Sequence, residues 1–118
     1  MLLTFGDNSS HEIRAYRIYL ILIGLAANHQ TIAYWRLCEK IRYDIGPMVC
    51  GPLGRLVNWC IREGLPALTS LVVEKETGKP SSRWTVGRSD ELPAELQRVF
   101  AFDWFSIMPP TLKELREY

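Results

Sequence analysis

The sequence predicts an α+β domain in which helices pack with a small antiparallel β-hairpin and a helical extension follows. Three observations predict it. Between residues 9 and 63, three apolar, helix-like segments are separated by a short β-branched run and a Gly-Pro break. Residues 68–86 change to two short β-rich runs around a turn. Residues 89–118 return to a helical pattern with a new capping signal. The 118 residues suffice for one domain with a real core, taken here as 1–118, with the core at 9–88 and the extension at 89–118.

The first helix is expected from Ser9, whose hydroxyl can cap while Glu12 reaches back three residues later. It should run to about Ala27. Ile13, Tyr16, Ile18, Leu20, Leu22 and Leu25 make it apolar on most sides, the mark of a central core helix. Its most apolar stretch, IYLILIGLAA at 18–27, is well short of the ~20 residues that span a bilayer. Asp7 and Glu12 stand where a signal peptide carries cations, so neither a membrane span nor a leader is expected. Thr31-Ile32-Ala33 reads as a rung or two of strand, then a second helix covers 34–42, before Gly46-Pro47 breaks the chain.

The third helix spans about 49–63. Leu53, Leu56, Val57 and Cys60 fall at the spacing of a buried stripe, and Gly64 followed by Pro66 ends the helix. Leu68 to Val73 reads as a strand, Glu76 to Pro80 as a turn, and Arg83-Trp84-Thr85-Val86 as the returning strand. Ser89 or Asp90 can cap a fourth helix bearing Leu92, Leu96, Val99 and Phe100. The aromatic run AFDWFSIM follows at 101–108. Thr111 and Glu114 form a capping box for a short last helix. A long helix behind a helix–helix–hairpin unit is the order of a winged helix-turn-helix, with the hairpin as its wing.

Charge and composition narrow the function. Hydrophobic residues make up 47% and charged residues 23%, a globular balance. Fourteen Lys and Arg against thirteen Asp and Glu leave a net charge of +1, too small to coat nucleic acid by charge alone. The distribution is uneven. Residues 1–88 hold 11 basic and 7 acidic residues, a balance of +4, whereas 89–118 hold 3 and 6, a balance of −3. Cys38, Cys50 and Cys60 form no C-x-x-C, and His11 and His29 lie far from them, so reduced cysteines in a cytoplasmic protein are expected, with no metal site and no cofactor. Cys60 sits within the apolar stripe, where a thiol behaves as a small inert hydrophobe. No G-x-S-x-G, H-E-x-x-H or P-loop phrase is present, and no enzymatic activity is expected.

The third helix leaves Arg55, Asn58 and Arg62 on one line. Arginine suits guanine edges and phosphates, asparagine suits adenine edges, and the second helix of a helix-turn-helix enters the major groove. Arg36 and Lys40 on the second helix, and Lys75, Lys79 and Arg83 on the wing, add cations for phosphate contact. The alternatives for the third-helix line are a solvated helix back and a protein interface anchored by arginine and Trp59.

The phrases Thr31-Ile32-Ala33-Tyr34-Trp35-Arg36-Leu37-Cys38 and Leu53-Gly54-Arg55-Leu56-Val57 resemble the DNA-binding module of the alkylguanine-DNA alkyltransferases and alkyltransferase-like proteins. The resemblance covers under half the chain. It implies a winged-helix-like core, Tyr34 near a DNA phosphate, and the third helix facing the groove. It does not extend to that family's chemistry. The reactive P-C-H-R phrase is absent, and Gly51 stands where the family has the arginine that pushes out a base. The phrase GLPALTSLVVEKETGKPSSRW at 64–84 is also similar to one in small bacterial and phage proteins. The expected function is therefore non-enzymatic binding of duplex DNA through the third helix and wing. The alternative is a small protein-binding module, a phage or bacterial regulator or inhibitor docking on a larger machine. The aromatics Phe100, Phe102, Trp104 and Phe105 favour that alternative if they form an exposed patch.

Overall fold

The fold is organised around α1 (His11–Ala27), as its all-round apolarity predicts. The structure is a computed structural model and describes residues 11–41, 50–81, 84 and 92–117. Ala15, Ile18, Tyr19, Leu22 and Ala26 are buried at helical spacing, and α3, α5, α4 and the segment after α3 all pack on α1. The expected cap Ser9 lies outside the described residues. The other end is a Schellman closure: Gln30 N donates to the Leu25 carbonyl at 2.9 Å, and His29 N to that of Ala26 at 3.1 Å. His29 holds the left-handed position with φ 53°. Its ring stacks on Phe100 of α4, 5.0 Å between centroids, which ties the turn to α4. No helix among the described residues is long and apolar enough to cross a membrane.

β1 (Ile32–Ala33) leads directly into α2 (Tyr34–Lys40), which buries Leu37 and Cys38. α3 (Cys50–Glu63) buries Leu53, Leu56 and Cys60 of the stripe read from the sequence, and its fourth member, Val57, is half-buried against the core. Trp59 joins them, edge-on to Tyr19 with ring centroids 5.5 Å apart. Gly64, at φ 67°, ends α3 in a second Schellman closure, with Leu65 N donating to the Cys60 carbonyl at 2.9 Å.

The expected antiparallel hairpin is not the architecture, and the winged-helix assignment falls with it. The domain is mostly helical, and its described sheet is a two-residue parallel pairing of β1 with β2 (Val72–Val73), in register Ile32↔Val72 and Ala33↔Val73. Two causes stand out. Residues Leu68–Leu71, read as strand, instead form a buried 3-10 turn, in which Ser70 N donates to the Ala67 carbonyl. Trp84, read as part of the returning strand, lies in a bend. Its indole Nε1–H donates to the Val72 carbonyl at 2.8 Å, and its own carbonyl accepts the buried Thr69 hydroxyl. The side chain thus occupies an acceptor that a ladder partner would use. The expected strand residues Arg83, Thr85 and Val86 lie outside the described residues. The intervening turn does form: Glu74 N donates to the Lys79 carbonyl at 2.9 Å, with Gly78 at φ 66°.

α4 (Leu92–Ala101) and α5 (Leu112–Glu117) complete the body. Glu95 of α4 accepts the Ala67 backbone N–H at 2.6 Å and pairs with Arg98. The capping box predicted for α5 is present in both directions, with Glu114 N on Thr111 Oγ1 and Thr111 N on Glu114 Oε1, each 3.1 Å.

Candidate binding surfaces

The line expected on α3 does not form as one solvent-facing row. Arg55 points along the surface of the fold to the C-terminal end of α5. Its Nη1 donates to the carbonyls of Leu115 at 2.6 Å and Arg116 at 2.8 Å. Those are among the last carbonyls of a helix, which lack intrahelical donors and carry its negative dipole end. A guanidinium is well suited to both needs. Asn58 and Arg62 remain exposed further along α3. The start of α3 is covered as well. A Cβ built at Gly51 would lie 2.8 Å from His11 Cε1, so a side chain there must displace the imidazole. Gly54, one turn further on, faces open space, and Asn58 and Arg62 are exposed beyond it.

The remaining expected cations divide between two elements. Arg36 and Lys40 are exposed on α2, and the Arg36 guanidinium lies 5.7 Å from the Trp35 ring centroid. Lys75 and Lys79 are exposed in the turn that follows β2, and α2 packs against β2. These four cations alternate along the chain with Glu39, Glu74 and Glu76. Arg83 lies outside the described residues. Tyr34, expected near a phosphate, is half-buried and stacks on Trp84 at 5.0 Å with the rings 9° from parallel.

The aromatics of the final third are mostly lid. Trp104 is buried with its indole N–H on the Val99 carbonyl at 2.9 Å, Phe100 and Phe102 are half-buried against the core, and Phe105 alone of the four is well exposed, at 66%.

A cleft that sequence reasoning did not identify opens beside α3. It has a volume of about 330 Å³, near the lower end for binding clefts. Its walls come from the end of α3 (Trp59 and Glu63), from Leu65 just past the helix, from residues 107–109, and from Thr111 and Glu114 at the start of α5. Trp59 makes a rigid wall because Tyr19 backs it. Met108 stands 85% exposed at the cleft, although a thioether side chain gains by burial. The signal in the sequence was the apolar Leu65 placed immediately after the helix-ending Gly64, a residue that packs back toward the helix it follows.

The thiols sit elsewhere. Cys38 and Cys60 are buried and form no disulfide. Burial pushes the Cys60 thiol up to about 11, which keeps it protonated and unreactive at neutral pH. Burial likewise raises the Tyr19 phenol to about 12. No group of three or more metal-ligating side chains gathers among the described residues. Comparison with protein-family models, with curated proteins and with solved structures returned no match.

Proposed function

We propose that this chain is a non-enzymatic protein-binding module that docks a partner's side chain in the cleft between α3 and residues 107–111. The observation that carries this reading is Met108, 85% exposed at a cleft whose wall is the rigid Trp59. Flexible methionine beside a fixed aromatic suits an adaptable contact surface. The engagement of Arg55 with α5 adds support, because it interrupts the positive strip that DNA binding along α3 requires.

The test is a selection from a random-peptide display library, followed by affinity measurement on Met108→Asp and on the double variant Lys75→Ala/Lys79→Ala. Binding of the enriched peptides should fall about tenfold or more in Met108→Asp and stay unchanged in the lysine variant. Enriched peptides whose binding ignores Met108→Asp would overturn the reading.

A second reading, contact with duplex DNA, is favoured by one observation: Arg36, Lys40, Lys75 and Lys79 are exposed on α2 and on the turn after β2, the strand that α2 packs against. The likeness to alkyltransferase-like proteins also supports it. In this reading α2 and the 74–79 turn make backbone contacts, and Arg55 takes no part. Anisotropy of a labelled random duplex between 50 and 200 mM salt tests it. Four phosphate contacts predict a log–log salt slope of about −3.6. A slope near zero, or one unchanged in Arg36→Ala/Lys40→Ala, rejects it.

A further inference from the structure

The cleft also carries a charge pattern that specifies its occupant. Its ionisable lining residues are Glu63 and Glu114, both acidic. Glu63 is the last residue of α3, at the negative end of the helix dipole. A carboxylate at that place is unfavourable for the helix itself, and with Glu114 it puts two carboxylates, and no cation, on the cleft lining. The arginines associated with α5 are committed to other acceptors. Arg55 bonds the α5 carbonyls, and Arg116 pairs with Glu12 of α1 at 3.1 Å. The floor is apolar, made by Trp59, Leu65 and Ile107.

We infer that the cleft takes a peptide segment of a partner protein that presents one apolar side chain flanked by lysine or arginine. This rests on the protein-binding reading above and names its partner class. The apolar side chain enters between Trp59 and Met108, and its removal from water drives association. The flanking cations lie over Glu63 and Glu114 at the wet rim, where charge pairs set selectivity and encounter rate more than raw affinity. Glu114 lines the cleft while its Oε1 accepts the capping bond from Thr111 N.

The test uses three amidated synthetic peptides that share a central leucine and differ in its two neighbours, which are lysine, serine or glutamate. Protein labelled with ¹³C at the methionine methyls reports occupancy through the Met108 resonance, and anisotropy gives the affinity at 50 and 200 mM salt. The lysine peptide should bind about fivefold tighter than the serine peptide, the factor expected of two exposed charge pairs. The glutamate peptide should bind weakest. The preference should shrink at the higher salt and in Glu63→Gln and Glu114→Gln. Glutamine at 114 can still serve the capping box, so α5 is retained. Equal affinity of all three peptides, with the Met108 resonance shifting, overturns the charge class and leaves the docking reading standing. No shift of Met108 with any peptide at millimolar concentration overturns both. A Met108 shift that follows protein concentration alone, with a dimer in sedimentation that Met108→Asp abolishes, assigns the cleft to a second copy and overturns the peptide occupant.

Discussion

Arg55 is the residue on which two descriptions of this chain diverge. Its place on α3 suits it to reach outward, and the folded chain turns it to the carbonyls of Leu115 and Arg116. Bonds from a charged donor to helix-terminal carbonyls are stronger than neutral ones, and here they attach α5 to α3. Arg55→Ala should therefore destabilise the fold by about 1–2 kcal/mol, read as a lower urea midpoint. Arg55→Lys should recover part of that loss, since an ammonium keeps the charge and the N–H donors but on a shorter, more strongly hydrated group. An alanine variant as stable as the parent, with weakened DNA binding, would return Arg55 to the surface role its sequence position suggests.

The elements themselves were legible where local signals and burial agree. α1, α3, α4 and α5 form where apolar spacing predicted helices, with a turn or glycine ending α1 and α3 and a capping box starting α5. The caps expected at Ser9 and at Ser89 or Asp90 lie outside the described residues. Of the run expected as strand at 68–73, Val72–Val73 do form β2, whereas Leu68–Leu71 take a buried 3-10 turn, in which their side chains are buried as well as in a strand. The decisive interaction is nonlocal: the Trp84 indole donates to Val72 and the Thr69 hydroxyl donates to Trp84. Trp84→Phe retains most of the ring packing on Tyr34 but removes the donor, leaving the Val72 carbonyl unsatisfied in a buried site. It should lower stability by about 1–3 kcal/mol, measured by thermal unfolding. No change in midpoint would mean that the pairing of β1 with β2 stands without this bond.

At the scale of the whole molecule, burial of Cys60 and Tyr19 couples stability to alkaline pH. The Cys60 thiol is raised from 9.0 to about 11 and the Tyr19 phenol from 10.0 to about 12, in both cases chiefly by burial. Each group ionises in the unfolded chain before it can in the folded one, so above pH 9 the folded state binds more protons and stability falls as pH rises. The contribution is intact below pH 9, and that of Cys60 is lost progressively through about pH 11, on the order of 2 kcal/mol. Urea midpoints measured from pH 8 to pH 11 should decline, and Cys60→Ala should flatten the first part of that decline. A flat profile for the parent protein would contradict the burial of both groups.

The sequence by itself determined the helical elements, the central place of α1, the α3 stripe with its buried Cys60, and the α5 capping box, because each depends on residues within a turn or two of one another. Only the tertiary structure decided that β1 and β2 pair in parallel, that Arg55 caps α5, and that Met108 stands over a cleft beside Trp59. Those outcomes join residues tens of positions apart. A periodicity can state that a side chain lies on the polar face of its helix. It cannot state which distant carbonyl, ring or helix end will meet that face, because the meeting depends on how whole elements pack.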